Sequence, residues 1–212
     1  NVEESDGRKG ILTAEPLERG FGLTLGNAIR RILLSSLQGA AITSVKMKGV
    51  VHEFSTIPGV KEDLTDILLN LKAVAVKVHS PGLKKMYLKS TGSGELRAGN
   101  FETDSETEIM NPDQIIMTLD SNADIEIEAN VETGKGYVTA EVAEDDEKVI
   151  GEIKLDAMFS PVIKTTYKVE NSRVGQVTDY DKLILEVETN GVITPDDAIA
   201  LAARILQDQL QP

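Results

Sequence analysis

The chain has 212 residues, of which 41% are hydrophobic, and it carries a formal net charge of −13 and no cysteine. This length is sufficient for a buried core, whereas the lack of cysteine excludes disulfides, thiol nucleophiles and thiolate metal sites. A chain this acidic is repelled by phosphate backbones. With four Phe, four Tyr and no Trp, it also offers few aromatic platforms for nucleic-acid bases.

No apolar run reaches the roughly 18 residues that a membrane span needs, and no secretory signal pattern is visible. Together with the absence of cysteine, these features predict a protein of the reducing cytoplasm.

The acidic excess is concentrated in one segment. Residues 1–94 carry a net charge of +4, residues 95–148 carry −13 and residues 149–212 carry −4. A four-residue acidic run lies within the middle segment, and it is most simply a solvated loop. Its functional alternative is a docking point for a basic partner. The run consists of Glu144, Asp145, Asp146 and Glu147.

The first predicted helix follows a short strand and a glycine turn. Residues 11–15 are predicted to form a short strand that Pro16 is expected to end. The glycine-rich residues 20–22 form the turn, Thr24 is the predicted N-cap, and Gly39 is expected to end the helix.

This helix has two contrasting faces when its residues are placed at about 100° intervals. One face is apolar and typical of a core-facing stripe. The other is polar but includes Leu34 beside Arg31, a combination that indicates a surface covered by a partner. The apolar face comprises Leu25, Ala28, Ile29, Ile32, Leu33 and Ser36, and the opposite face comprises Asn27, Arg31, Leu34 and Gln38.

The middle of the chain is predicted to be mostly β. Residues 42–47 and 74–79 alternate as strands, and residues 60–71 show the spacing of an amphipathic helix. From residue 85 onwards, short strands follow one another without intervening helices, which favours antiparallel pairing. The candidate strands are 85–89, 114–119, 124–131, 137–142, 152–158 and 162–169.

The last predicted helix follows a strand at residues 183–188 and has a clear start signal. Thr194 is the expected N-cap, Pro195 occupies the first position, and two aspartates lie in the first turn. Its apolar positions cover an arc of about 200°, roughly twice that of a single buried stripe. They are Ala198, Ile199, Leu201, Ala202, Ala203, Ile205, Leu206 and Leu210. Two helices with surplus apolar faces favour a homodimer.

The sequence lacks a catalytic constellation. Gly20, Gly22 and Gly26 have the spacing G-x-G-x-x-x-G rather than that of the dinucleotide fingerprint, and no P-loop Gly-Lys-Ser/Thr follows. His52 and His79 stand in strand contexts without further His or Cys residues to complete a metal site. The sequence therefore predicts a non-catalytic scaffold without a metal or cofactor.

Nine short motifs lie in order along nearly the whole chain. They are LERGFG (17–22), TLGNA (24–28), RRILLSS (30–36), HEFS (52–55), GVKED (59–63), ILLNLK (67–72), DAMFSP (156–161), LILEVETNG (183–191) and Pro195. Together they resemble the N-terminal domain of the bacterial RNA polymerase α subunit. A plastid-encoded α subunit would look similar, and the bacterial one is favoured.

The resemblance implies an α+β fold with two subdomains. Residues 1–38 and 162–212 are expected to form a discontinuous α+β dimerisation subdomain, and residues 39–161 an inserted, mostly antiparallel β subdomain. The first and last helices are expected to pack against their copies in a homodimer. The residues nominated for that interface are Leu25, Ala28, Ile29, Ile32, Leu33, Ser36, Ile199, Ala202, Ala203, Leu206 and Leu210.

The resemblance also implies a non-catalytic subunit of a nucleotidyltransferase complex, the DNA-directed RNA polymerase of transcription. The dimer is expected to be the assembly scaffold on which the β and β′ subunits dock, located in the cytoplasm and, within the polymerase, at the nucleoid. In some family members the loop that matches residues 144–147 contacts transcription activators. The positions nominated for docking are Asn27, Arg30, Arg31, Leu34, His52, Glu53, Phe54, Gly59, Val60, Asp63, Lys72, Ser160 and Pro161.

The sequence departs from the family pattern at both ends. The family usually has a longer segment before its first strand, so Asn1 is expected to mark a truncated start. The family's flexible linker and DNA-binding C-terminal domain do not follow Pro212, so direct DNA binding is not expected of this chain. Two alternatives remain open at this point: a nucleotide-dependent enzyme that uses the turn at residues 20–26, and a β-rich structural dimer without larger partners.

Overall fold

A computed structural model describes residues 2–4, 7–50, 55–140, 151–175 and 177–211. The chain divides into two compact units, which we call the terminal unit (Asn1–Gln38 with Ser160–Pro212) and the inserted unit (Gly39–Phe159). Ser160 and Pro161, which the sequence division places in the inserted part, group with the terminal unit. The strands of the described residues pair mostly in the antiparallel direction. The predicted α+β fold with an inserted β-rich part is therefore confirmed.

The helices and strands follow one another in a simple order. The helices of the described residues are α1 (Phe21–Ser35), α2 (Leu64–Lys72) and α3 (Pro195–Leu210), with a short 3-10 turn at Ala98–Asn100. The strands are β1 (Val2–Glu4), β2 (Lys9–Glu18), β3 (Gln38–Met47), β4 (Val76–Val78), β5 (Lys84–Thr91), β6 (Gly94–Arg97), β7 (Thr107–Ile109), β8 (Ile115–Leu119), β9 (Asp124–Lys135), β10 (Tyr137–Val138), β11 (Glu152–Lys154), β12 (Ala157–Met158), β13 (Val162–Val174) and β14 (Val177–Thr189).

The terminal unit is a four-stranded sheet in the order β1-β2-β14-β13, with α1 and α3 in contact with each other and with the sheet. Strand β14 alternates as a half-covered strand should. Its Leu183, Leu185 and Val187 are buried, whereas the intervening Glu186 is exposed. The buried residues of α1, α3 and β14 form one apolar core.

Three predicted boundaries in the terminal unit are wrong. Strand β2 continues through Pro16. The β2–β14 ladder is irregular between Asp181 and Leu183, so the missing N–H of Pro16 interrupts no regular pairing. Helix α1 begins directly after Gly20, which is its N-cap residue and has a φ of 89°, and Thr24 lies within the helix. The helix ends at Ser35, before Gly39.

The inserted unit is built on a larger sheet in the order β5-β9-β3-β4-β7, with β11 paired to β3. Two further two-stranded sheets, β6-β8 and β10-β12, belong to the same unit. Helix α2 contacts β8 and contributes fully buried Ile67 and Leu71 to the core. The predicted helix at 60–71 therefore exists but begins four residues later, at Leu64. Strands β6 and β7 were not predicted.

Within the described ranges, no helix combines the length and the apolar character required to cross a bilayer.

Candidate interaction surfaces

Helix α1 lies close to the β13–β14 hairpin because two of the residues facing that hairpin have no side chain. A Cβ atom added to Gly26 would lie 2.6 Å from Cδ2 of Tyr167 and 2.9 Å from Cδ1 of Leu183. A Cβ atom added to Gly22 would lie 2.8 Å from Cγ1 of Val169. These glycines lie one helical turn apart, so they form a groove into which the hairpin side chains fit.

The first turn of α1 is already occupied by a carboxylate of the same chain. The Oδ2 atom of Asp181 accepts hydrogen bonds from the backbone N of Gly20 at 2.9 Å and of Gly22 at 3.0 Å. A bound phosphate would use the same free N–H groups at a helix N-terminus. The geometry therefore argues against the alternative of a nucleotide site at residues 20–26.

The core-facing side of α1 differs from the predicted stripe. Its buried residues are Gly22, Gly26, Ile29 and Leu33. Because Leu33 has no exposed surface, its side chain packs in the core of its own chain and is not available to a dimer interface. The other interface candidates on this helix, Leu25, Ala28, Ile32 and Ser36, are half-buried.

The interface candidates on α3 divide in the same way. Ala202 is fully buried and Ile199 is 6% exposed, so both contribute to the core of the terminal unit. Leu206 is half-buried and Ala203 is exposed. Leu210 is 76% exposed, which leaves a large apolar side chain in water.

The structure adds three exposed apolar residues to these candidates. Phe21 and Leu23, in the first turn of α1, are 51% and 61% exposed, and Leu201 of α3 is 46% exposed. Sequence reasoning omitted the first two because it treated residues 20–24 as a turn and a cap. Placing the helix start at Phe21 would have revealed them.

Among the candidate docking positions on α1, Arg31 is the basic residue whose side chain has no partner within the described residues. It is exposed, as is Asn27, and its guanidinium makes no hydrogen bond or ion pair with the described part of the chain. Arg30 is half-buried, and its Nε donates to the backbone oxygen of Thr165 at 3.4 Å. Leu34 is half-buried against the core of the terminal unit, so its predicted position at the centre of an exposed face is wrong.

In the inserted unit, the candidate segment at residues 59–63 is fixed along strand β8. Gly59 has a φ of 79°, and a Cβ atom there would lie 2.9 Å from the Cα of Ala123. Val60 forms a β-bridge with Leu119, and Asp63 is exposed. The close backbone contact requires glycine and leaves this segment little freedom.

Glu62 also holds this segment against strand β8 through hydrogen bonds. Its carboxylate accepts hydrogen bonds from the backbone N of Thr118 at 2.7 Å and from the Thr118 hydroxyl at 2.8 Å. Partial burial raises the pKa of Glu62, but the two bonds from Thr118 outweigh that effect and hold the pKa below its ordinary value. The segment therefore presents its exposed residues on a rigid support.

Lys72, at the end of α2, belongs to a polar cluster centred on Asp156. The Nζ atom of Lys72 lies 3.1 Å from Oδ2 of Asp156, and the backbone N of Ala140 donates to Oδ1 at 2.8 Å. The bond from Ala140, then those from Lys72 and Tyr137, lower the pKa of Asp156. The hydrogen bond to Asp156 in turn raises the pKa of the Tyr137 hydroxyl.

An apolar patch that sequence reasoning missed adjoins this cluster. Tyr137 and Val138 of β10 pair with Met158 and Ala157 of β12. Tyr137 is 54% exposed, Val138 is 51% exposed and Met158 is 59% exposed. The available sequence signal was the two consecutive apolar residues Ala157 and Met158, since successive side chains of a strand point to opposite faces and one of the two must face away from the core. Tyr137 and Met158 lie opposite each other on one face of this strand pair, whereas Val138 lies on the other face with Ala157. We call Tyr137 and Met158 the β10–β12 patch.

The remaining candidates offer less surface or lie outside the described residues. Ser160 is 5% exposed, and its hydroxyl lies 3.3 Å from the backbone oxygen of Leu33. Pro161 is also buried, so neither presents a side chain for docking. The candidates His52, Glu53, Phe54, Glu144, Asp145, Asp146 and Glu147 fall outside the described ranges. The described residues contain no group of three or more potential metal ligands.

The family described as the RNA polymerase Rpb3/RpoA insert domain matches residues 45–160. This match covers more than half of the chain and nearly all of the inserted unit, including the 59–63 segment, Lys72 and the β10–β12 patch.

Proposed function

Because the chain belongs to the RNA polymerase Rpb3/RpoA insert-domain family, we propose that it is the N-terminal domain of a bacterial α subunit. Membership itself makes the chain an RNA polymerase subunit of the α/Rpb3 type, a non-catalytic part of the complex with a role in assembly. As such a domain, the chain would associate with a second copy of itself through α1 and α3 and would dock the β and β′ subunits. It also places the protein in the cytoplasm, where the polymerase transcribes the nucleoid.

Self-association is supported by the apolar residues that α1 and α3 leave in water. Phe21, Leu23, Leu201 and Leu210 are each between 46% and 76% exposed, although the core of the terminal unit lies beneath the same helices. A monomer gains nothing by exposing four large apolar side chains on two neighbouring helices. A second copy would cover them in an isologous two-fold contact.

Sedimentation equilibrium tests this part of the proposal. Leu201→Lys places a charge on the proposed dimer surface, and Leu83→Lys provides the matched control because Leu83 is 55% exposed in the inserted unit. We expect the wild type and Leu83→Lys to form dimers and Leu201→Lys to be monomeric. A monomeric wild type, or a Leu201→Lys variant that dimerises as tightly as the control, would contradict the proposal.

Docking of the large subunits is supported by surfaces of mixed character. The β10–β12 patch combines exposed apolar side chains with the adjoining Lys72–Asp156 ion pair. An apolar centre with a polar rim is typical of a protein interface. Arg31, on α1, is exposed and has no side-chain partner among the described residues, and arginine is enriched where binding energy is concentrated.

Co-expression with β or with β′, followed by size-exclusion chromatography, tests the docking surface. Met158→Asp should reduce the fraction of chain that elutes with a large subunit at least tenfold, because it places a charge at the centre of the apolar patch. Leu83→Asp is the matched control and should elute as the wild type does. Equal retention of both variants would show that the β10–β12 patch is not part of the docking surface.

The acidic run at 144–147 is proposed as the contact for transcription activators, on the strength of its charge. Replacing its four residues with Asn and Gln should weaken the binding of a basic activator surface without changing dimerisation. An unchanged affinity for every activator tested would contradict this proposed contact.

A further inference from the structure

We propose that Asp181 is a positioning residue that fixes the first turn of α1. Through this turn it holds Phe21 and Leu23, two of the apolar residues of the proposed dimer surface. The inference rests on the proposed self-association and adds to it a residue that lies on neither helix.

Helix α1 has no cap of its own at its start. The residue at its N-cap is Gly20, which has no side chain, and the first turn contains no acidic residue. Helix α3 shows the usual arrangement, in which the Thr194 hydroxyl accepts a hydrogen bond from the backbone N of Asp197 at 3.3 Å. A carboxylate at the first turn satisfies free N–H groups and interacts favourably with the helix dipole.

Asp181 supplies that missing cap from strand β14. Its Oδ2 atom accepts from the backbone N of Gly20 and of Gly22, residues 161 and 159 positions earlier in the chain. One carboxylate oxygen thus bonds to two of the free N–H groups of α1. A hydrogen bond to an ionised group is worth about twice a neutral one.

Three backbone features place this carboxylate. The β2–β14 register shifts between Asp181 and Leu183, and such an irregularity re-aims the side chain that precedes it. Gly20 adopts a left-handed conformation with a φ of 89°. A Cβ atom at Gly22 would come within 3.0 Å of the Cβ and Oδ2 atoms of Asp181, so the carboxylate fits only beneath a glycine.

The two halves of α1 are therefore held by different interactions. Ile29 and Leu33 anchor the second half in the core. In the first turn, Phe21 and Leu23 point into solvent and Gly22 contributes no side chain. Loss of the Asp181 carboxylate should therefore loosen the turn that carries Phe21 and Leu23 and leave the turn that carries Arg31 in place.

The test compares Asp181→Ala and Asp181→Asn with a variant of similar stability. Thr189→Val is the control because Thr189 is 1% exposed at the far end of β14 and its hydroxyl bonds to the backbone of Ile193 at 2.7 Å and of Gly191 at 3.3 Å. We expect Asp181→Ala to raise the dimer Kd by about tenfold more than Thr189→Val does. Asp181→Asn should fall between them because its amide oxygen still accepts a hydrogen bond.

Amide hydrogen exchange supplies a readout that a general loss of stability would not produce. In Asp181→Ala, exchange should accelerate at residues 20–25 and stay unchanged at residues 31–36. A dimer Kd equal to that of Thr189→Val, or equal acceleration at both ends of α1, would overturn the proposal. A monomeric wild type would instead refute self-association, and the exchange pattern alone would then decide whether Asp181 fixes the first turn.

Discussion

The glycine at position 26 allows a test in which two physical effects predict opposite signs. Alanine is favoured over glycine within a helix by about 1 kcal/mol, so Gly26→Ala would stabilise α1 if only the helix mattered. The added Cβ atom would, however, lie 2.6 Å from Cδ2 of Tyr167 and 2.9 Å from Cδ1 of Leu183. Ordinary contacts begin near 3.4 Å, so the helix or the ring must shift by about 0.8 Å.

Overpacking of a well-packed core costs about 1–3 kcal/mol, and here the buried Leu183 and the half-buried Tyr167 of the hairpin are displaced together. We therefore expect Gly26→Ala to lower the free energy of unfolding by about 1 kcal/mol after the propensity gain is subtracted from the overpacking cost. For a chain of this size, that corresponds to a fall in Tm of about 2–4 °C.

Thermal and urea unfolding, followed by circular dichroism, measure this change. Ser35→Ala is the control because Ser35 is exposed on the same helix and gains propensity without a clash. Its stability should stay within about 0.5 kcal/mol of the wild type. A Gly26→Ala variant that is more stable than the wild type would refute the close packing of α1 on the hairpin.

Two further predictions concern single hydrogen-bonding groups. Glu62→Gln should destabilise the protein most above pH 4.5, and the difference in stability from the wild type should shrink as the pH falls. The lowered pKa of Glu62 means that its ionised carboxylate is the stabilising form. Urea unfolding from pH 7 to pH 3 checks this prediction, and a difference in stability that does not change with pH would contradict it. Thr194→Ala should lower the free energy of unfolding by about 1 kcal/mol, because it removes the hydrogen bond from the backbone N of Asp197. The control is Thr65→Ala at an exposed position of α2, which should lower the free energy of unfolding by less than half as much. Equal losses of stability would show that the cap contributes nothing.

The parts of the fold that local chemistry determines could be predicted from the sequence. The start of α3 follows from Thr194 and Pro195, and the structure shows Thr194 as its N-cap. Helix α2 was predicted from its apolar spacing, but the residues just before it bond to strand β8 instead. Periodicity alone could not anticipate that, because the bonding partners of the segment lie more than fifty positions later.

The glycines of α1 show why the rest could not be predicted. The neighbouring sequence predicts only a turn at these glycines. Their role in the fold depends on contacts with Tyr167 and Asp181, which lie in the C-terminal part of the chain. Leu34 was mispredicted for the same reason. A helical wheel places it on a polar face, but residues distant in sequence partly bury it against the core of the terminal unit. Exposure of Arg31 was predicted because it needs no distant partner.

Arg31 provides a direct test of the proposed role of this chain in polymerase assembly. The guanidinium is exposed and unpaired within the described residues, so its removal should change stability by less than about 0.5 kcal/mol. Arg204→Ala on α3 is the matched control, since Arg204 is also an exposed helical arginine.

The measurement is co-expression of each variant with the β subunit, followed by size-exclusion chromatography. We predict that the wild type and Arg204→Ala elute with β, whereas Arg31→Ala remains dimeric and elutes without it. Retention of β by Arg31→Ala at the wild-type level would contradict the assignment of this helix face to large-subunit docking.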